Sequence, residues 1–200
     1  MNPPRRPRPF PLRLHSALRW VHTYLSLASL ALVLFFAATG VTLNHPDWFA
    51  AQARQSRRTG TIPPEWLREP VDKLAVAERL RAEHGLRGSV DEFRVDDAEC
   101  MVAFKAPGFA ADAFVRRDTG EASVDIVDEG PGAFFNDLHK ARHAGRAWAF
   151  AVDVSGVVLA VLSLTGFALV FFLKRIKLAG LLAAVAGVVV LGLAIRLCVP

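Results

Sequence analysis

Three long apolar runs, nearly free of charged residues, dominate the pattern of hydrophobic and polar positions along the chain. They lie at residues 24–43, 147–173 and 178–195. An α-helix of about 20 residues crosses a hydrocarbon core of about 30 Å, so each run is long enough to span a membrane. The pattern therefore predicts three transmembrane helices, over residues 22–44, 145–173 and 178–197.

Basic residues flank these runs unevenly. They cluster before the first run and between the second and third, at Arg5, Arg6, Arg8, Arg13, Arg19, Lys174, Arg175 and Lys177. Lys and Arg are enriched in the cytoplasmic loops of membrane proteins. The flanks therefore predict a cytoplasmic basic N-terminus (1–21), a cytoplasmic loop (174–177) and a periplasmic segment (45–144) in a bacterial inner membrane.

A cleaved signal peptide is the alternative interpretation of the N-terminus. An Arg-rich start, an apolar run and the small residues Ala37 and Ala38 would fit one. The run is longer than the apolar core of a usual signal peptide, and it continues through Val41 and Leu43. Both features favour a retained transmembrane helix.

The segment between the first two runs differs completely from them in composition. Residues 51–70 are basic and contain Pro, so they are interpreted as a loop. Residues 71–85 then show a helical period, and Gly85 ends the predicted helix. The apolar positions of that helix are Leu74, Ala77 (or Val76) and Leu80.

Strand-like patterns follow this helix. Residues 90–96 alternate apolar and polar, residues 100–106 are mostly apolar, and residues 112–128 indicate a hairpin that turns at 118–121. Residues 134–144 predict an amphipathic helix that leads into the second transmembrane helix. The fold class predicted is an α-helical membrane protein with three transmembrane helices and a small α+β periplasmic domain inserted between helices 1 and 2.

Composition narrows the class of protein. Of 200 residues, 52% are hydrophobic, and their concentration in three runs excludes a simple cytosolic enzyme and a disordered chain. Two cysteines, Cys100 and Cys198, are too few for a disulfide framework or a zinc ribbon, and the lack of Cys-x-x-Cys-His excludes covalent c-type haem. The membrane flanks account for the net charge of +5, so we expect no nucleic-acid partner.

Several short motifs occur in a defined order along the chain. Residues 18–27 read LRWVHTYLSL, and the later motifs are Ala38-Thr39-Gly40, RDTGE at 117–121, Leu138-His139, Arg142, Gly145 and Leu164-Thr165-Gly166. In this order they resemble the PepSY-associated transmembrane proteins, and the helix with its hairpin is similar to a PepSY module. NHPDWF at 44–49 and DLHK at 137–140 resemble a short, three-span branch of that family.

The resemblance implies a redox function. Larger relatives include inner-membrane ferric-siderophore reductases, which hold b-type haem between spans through histidines and pass electrons toward the periplasm. The implied cofactor is therefore haem b, with one haem expected and a second allowed. The implied partners are membrane lipids, a quinol or redox partner protein, and a second copy of the chain.

Of the six histidines, three lie near the predicted outer membrane face. His45 follows the first apolar run, and His139 and His143 precede the second. With the resemblance, His45 and His139 are the candidate axial ligands of the haem iron, because two neutral imidazoles from neighbouring helices make a six-coordinate, low-spin haem. His143 is the alternative to His139.

Further candidates surround this pair. Arg142 and Arg146, with Lys140, are expected to pair with the haem propionates. Asp153, early in the second run, is expected to orient a ligating histidine or carry protons, unless it is shallow enough to be hydrated.

His22 lies about 35 Å from His45 along a helix. A haem bound at His22 would need its other ligand from a second subunit or from a residue that is not histidine. Otherwise His22 would face a quinone or a lipid headgroup.

Other interpretations stay open. Histidines at a membrane interface also occur as polar residues in an aromatic belt, and the four-residue spacing of His139 and His143 suits a zinc or copper site. We expect a b-type haem protein, a membrane-bound reductase or electron-transfer subunit, that relays electrons to a ferric siderophore, another iron chelate or a flavoprotein. The alternatives are a non-catalytic, membrane-anchored PepSY binding or inhibitory module, and a His-based metal-handling accessory protein.

Overall fold

The structure is a computed structural model that describes residues 10–199. Arg5, Arg6 and Arg8 of the predicted cytoplasmic flank lie outside the described residues. Within residues 10–199 the helices are α1 (Phe10–Ala28), α2 (Leu30–Leu43), α3 (Lys73–His84), α4 (Gly130–His139), α5 (Gly145–Val170) and α6 (Lys177–Cys198). The strands are β1 (Arg54–Thr61), β2 (Ser89–Val95), β3 (Glu99–Ala106), β4 (Phe109–Arg116) and β5 (Glu121–Asp128).

The chain divides into two compact units. One consists of the described parts of Met1–Val33 and Val154–Pro200, and the other is Leu34–Asp153. The described residues of the first unit form no strand and contain α1, the beginning of α2, the later part of α5 and α6. The second contains the sheet, α3 and α4, together with most of α2 and the beginning of α5.

Two helices among the described residues, α5 and α6, are long and apolar enough to cross a membrane. A third candidate is the pair α1 and α2, which are bent by 57° at a short break. The sequence predicted one uninterrupted helix over residues 22–44, whereas the structure interrupts it at Ser29. The Ser29 hydroxyl donates to the Ser26 carbonyl (3.4 Å) and the Ser26 hydroxyl to the His22 carbonyl (2.6 Å). Such bonds to the preceding turn bend helices.

The sheet is antiparallel, with the strand order β1-β5-β4-β3-β2. The predicted strands at 90–96 and 100–106 and the predicted hairpin at 112–128 are confirmed. The loop predicted over residues 51–70 is wrong, because Arg54–Thr61 forms β1 and pairs with β5 along its whole length. β1 is an edge strand with seven exposed positions out of eight, so it lacks the apolar alternation that reveals a half-buried strand.

Helix α3 covers one face of the sheet and closes the core. The Asp72 carboxylate caps its first turn by accepting from the Ala75 amide (3.0 Å), and Gly85 ends it in the left-handed conformation (φ 64°), as predicted. Val76 and Leu80 are fully buried against strand residues that include Phe104. Leu74, predicted to share this buried face, is 71% exposed.

Helix α4 ends earlier than predicted. The helix expected over residues 134–144 stops at His139, because Ala141 and His143 both have a positive φ of 53°. The Arg142 amide donates to the Asp137 carbonyl (2.8 Å), which closes the end of the helix. His139 and His143 therefore do not lie on one helix face, and the four-residue spacing that suggested a zinc or copper site does not describe their arrangement.

Candidate functional site

His139, the last residue of α4, lies against α2. Its Nδ1 is 2.6 Å from the Thr39 hydroxyl oxygen, and its ring meets the edge of Phe36 with the ring centres 5.1 Å apart. Thr39 is buried, with 7% of its surface exposed. The hydroxyl of Thr39 also donates to the Phe35 carbonyl one turn earlier in α2 (2.6 Å). His139 is thus held by a buried hydroxyl beside an aromatic ring.

A second set of polar contacts holds α4 in this position. The Thr42 hydroxyl is 2.7 Å from the Asn136 side-chain oxygen and 2.9 Å from the Thr39 carbonyl. At the other end of this site, the Trp148 indole nitrogen donates to the Leu138 carbonyl (2.8 Å). Two residues of α4 just before His139 are therefore tied to α2 and α5, which fixes the position of the end of α4.

An apolar cavity of about 390 Å³ opens beside Thr39. Its lining is almost entirely carbon, from Phe35, Ala38, Thr39, Thr42, Phe49, Gln52, Pro131, Gly132 and Phe135. A second cavity of about 440 Å³ is more polar and includes Asp137, Lys140 and Arg142. Apolar cavities of this size with a few polar groups nearby are typical of small-molecule sites.

His22 has a similar environment within the helical unit. Its Nδ1 lies 3.0 Å from the Thr165 hydroxyl of α5, which in turn donates to the Val161 carbonyl (2.8 Å). Like Thr39, Thr165 is followed by a glycine, and a Cβ at Gly166 would lie 3.0 Å from the His22 ring. Seven residues earlier in α1, the ring of His15 contacts Phe172, with ring centres 5.1 Å apart.

His45 and His143 differ from this pair. The His45 ring is exposed and stacks flat on Trp48, with ring centres 4.3 Å apart. Nδ1 of His143 is 4.0 Å from a carboxylate oxygen of Asp91. A hydrogen bond from Lys105 lowers the pKa of Asp91, with His143 as a minor contributor. Among residues 10–199, no hydrogen bond or ring contact joins His45 or His143 to His139.

The charged candidates are exposed. Arg142 lies in the turn after α4, and Arg146 and Asp153 lie on α5. In the described part of the chain, none of their side chains forms an ion pair, and Asp153 does not hydrogen-bond a histidine. Nor do residues 10–199 contain a group of three or more His, Cys, Asp or Glu residues able to hold a metal ion.

Thr39 and Thr165 are the site residues that sequence reasoning missed. In the sequence the two Thr-Gly pairs count only as motifs of the family resemblance, yet each threonine contacts a histidine. The available signal was the repetition: a histidine near one apolar run and a Thr-Gly pair near the end of another occur twice. The repetition alone could not show which threonine contacts which histidine, because the partners are 100 and 143 residues apart.

Comparison with known proteins gives one family. A family model described as "Putative PepSY_TM-like" matches residues 16–200. No curated protein and no solved structure matches the chain. The matched region includes both histidines that are bound to threonines and both of their threonine partners.

Proposed function

The chain belongs to the PepSY_TM-like family, and from this membership we propose that it is a membrane protein that binds b-type haem and relays electrons to an acceptor outside the cytoplasm. The apolar helices and the family indicate a membrane protein. The acceptor would be a ferric chelate such as a siderophore complex, or a flavoprotein. The physiological role would lie in iron acquisition or periplasmic redox chemistry.

The observation that carries this proposal is the hydrogen bonding of the two ring nitrogens of His139. Nδ1 is bound to the Thr39 hydroxyl, whereas Nε2 forms no hydrogen bond within residues 10–199. Histidines that ligate a metal through one nitrogen almost always hydrogen-bond through the other. The same holds for His22, whose Nδ1 contacts Thr165.

The residues around His139 fit a haem group in their chemistry. A neutral imidazole is a suitable axial ligand, and the neighbouring cavity offers the apolar, aromatic lining that a porphyrin requires. Lys140 and Arg142 lie at the second cavity, where cations can pair with propionates. When bound, the haem would supply one-electron chemistry, while the protein would orient it and tune its potential.

The second axial ligand in this proposal is His45. It follows the end of α2, the helix that carries Thr39, and its exposed ring stacks on Trp48 and forms no hydrogen bond with any residue that the structure describes. His22 is the candidate for a second haem, for which a second copy of the chain would supply the missing ligand. A quinol or a redox protein would be the electron donor.

We also propose three spans, an inner-membrane location and a periplasmic sheet domain. This orientation is supported by the described basic residues Arg13 and Arg19 on α1, Lys174 and Arg175 between α5 and α6, and Lys177 at the start of α6. Alkaline phosphatase fusions provide the test. A fusion after Arg117 should be active and one after Arg175 inactive; the reverse pattern would overturn the orientation.

Visible spectroscopy tests the haem proposal. The full chain, expressed with ample haem and purified in detergent, should show a sharp Soret band and split α/β bands after reduction with dithionite. A pyridine haemochrome assay should identify haem b. A colourless protein would overturn the proposal and favour a membrane-anchored binding module instead.

Ligand variants locate the haem. His139→Ala and His45→Ala should each abolish the low-spin spectrum, and added imidazole should restore it if the protein is folded. His15→Ala is the matched control, because within residues 10–199 the His15 ring contacts an aromatic ring and no hydroxyl, and the substitution should leave the spectrum unchanged. A low-spin spectrum that persists in His139→Ala would remove His139 as a ligand.

A further inference from the structure

We infer that Thr39 and Thr165 are positioning residues that hold His139 and His22 as their Nδ1–H tautomers, so that Nε2 is the free ligating atom of each ring. The inference deepens the proposed function, and it rests on that function only for the identity of the ligand. The tautomer itself follows from the hydrogen bonds within the protein. Each threonine would thus fix the tautomer of one histidine, at two separate sites.

The argument for Thr39 begins with its single hydroxyl proton. The hydroxyl oxygen is 2.6 Å from the Phe35 carbonyl oxygen and 2.6 Å from Nδ1 of His139. A carbonyl can only accept, so the proton must lie between the two oxygens, because two oxygens this close without a proton would repel each other. The hydroxyl therefore has no proton left for the ring. Nδ1 must carry its own proton and donate it to Thr39.

The same argument applies at Thr165. Its hydroxyl donates to the Val161 carbonyl (2.8 Å), with the Leu162 carbonyl at 3.1 Å, and Nδ1 of His22 lies 3.0 Å away. The chain of donors again runs from Nδ1–H to the hydroxyl and on to a helix carbonyl. Both histidines reach this arrangement independently, one in each compact unit.

The consequence concerns Nε2. A neutral imidazole has one proton, so a protonated Nδ1 leaves Nε2 with an unshared electron pair. The partner of the remote nitrogen fixes both the tautomer and the ring orientation of a metal-ligating histidine. Across the described residues, no threonine hydroxyl holds the other four histidines in this way. The hydroxyls thus single out His22 and His139.

Nitrogen NMR tests the tautomers without any cofactor. The full chain, labelled with ¹⁵N in its histidine rings and reconstituted free of haem in lipid nanodiscs, would be studied at about pH 8, above the ordinary histidine pKa of about 6.5. Correlations between ring protons and ring nitrogens should show two rings protonated at Nδ1. Thr39→Val should remove this signature from one ring and Thr165→Val from the other. Thr39→Ser and Thr165→Ser should retain it.

Matched controls separate the hydroxyl's effect on the ring from its effect on helix packing. Thr42→Val removes another hydroxyl of α2, which bonds to Asn136 and, among residues 10–199, to no histidine. Ser163→Ala removes a hydroxyl of α5 that donates to the Leu159 carbonyl one turn earlier. Both should leave the tautomers unchanged. A wild-type ring protonated at Nε2 or at both nitrogens, or a Thr→Val variant that keeps Nδ1–H, would overturn the inference.

A second readout uses the haem-loaded protein. Loss of an outer-shell partner typically weakens metal binding about 10- to 100-fold. Thr39→Val should therefore weaken haem binding by this factor, with Thr39→Ser close to wild type. Equal affinity in Thr39→Val and wild type would overturn the positioning role. If the wild type binds no haem, the proposed function fails, and NMR alone decides the tautomers.

Discussion

Gly166 lies directly against the ring of His22: a Cβ atom added there would be 3.0 Å from Cε1 of the imidazole. At the equivalent position beside His139, a Cβ added to Gly40 would be 3.8 Å from Cε1, an ordinary contact distance. The two Thr-Gly pairs therefore leave different amounts of space around rings that they bind in the same way. A side chain at position 166 would require the His22 ring to move by a few tenths of an ångström, whereas one at position 40 would not.

The two glycines should consequently respond differently to alanine. Gly166→Ala should displace His22 and destabilise the protein by about 1–3 kcal/mol, the usual effect of overpacking. Gly40→Ala should be neutral or stabilise by up to about 1 kcal/mol, because alanine favours a helix. Thermal unfolding in detergent measures both. Equal destabilisation by the two substitutions would contradict the difference in space.

The core beneath α3 provides a second matched pair. Leu80 is fully buried against the sheet, whereas Leu74 on the same helix is 71% exposed. Leu80→Ala should lower the free energy of unfolding by about 2–5 kcal/mol, through lost burial and a residual cavity. Leu74→Ala should change it by less than about 0.5 kcal/mol, as at other exposed positions. Denaturant unfolding of the sheet domain within the full chain checks both values, and a large effect at Leu74 would indicate that something covers α3.

The edge strand β1 should make a pH-dependent contribution to stability. Arg57 pairs with Asp125 of β5 through two hydrogen bonds, of 2.5 and 2.7 Å, and this lowers the pKa of the Asp125 carboxyl from its ordinary value near 3.8. A lowered folded-state pKa stabilises the protein above the unfolded-state pKa, and this stabilisation is lost as the pH falls through the folded-state value.

Arg57→Ala should therefore be less stable than wild type at neutral pH, and the difference should disappear when the pH falls below the ordinary aspartate range. Because both side chains are exposed, the effect should be small and reduced by salt. Arg54→Ala on the same strand is the control, since Arg54 forms no ion pair within residues 10–199. A difference that stays constant down to pH 2 would show that Arg57 acts through packing instead.

The turn after α4 should gain stability from glycine. Ala141 has φ 53°, a conformation that costs an L-residue roughly 1–2 kcal/mol and glycine little. Ala141→Gly should raise the unfolding temperature of the protein. Ala133→Gly, within α4, should lower it, by the helix penalty of about 1 kcal/mol. Destabilisation by Ala141→Gly would mean that the Cβ of Ala141 makes a contact of its own.

Several elements could be predicted because their signal is local. The presence of α3, its stop at Gly85 and the hairpin of β4 and β5 depend on neighbouring residues, and all three are confirmed. β1 could not be predicted, because its pairing with β5 supplies the hydrogen bonds and its own side chains show no apolar alternation. The end of α4 was also misplaced, because the helical pattern of apolar residues continues past a backbone turn.

The apolar runs, the helix-and-strand domain between them and the family resemblance were all determined by the sequence alone, because hydrophobic period and motif order are properties of short segments. The tertiary structure decided which histidines have similar surroundings. His22 and His139 each find a threonine more than 90 residues away, whereas His45 stacks on a tryptophan three residues along the chain. A side chain's hydrogen-bond partner depends on how helices pack, and helix packing brings together residues whose separation in sequence carries no signal.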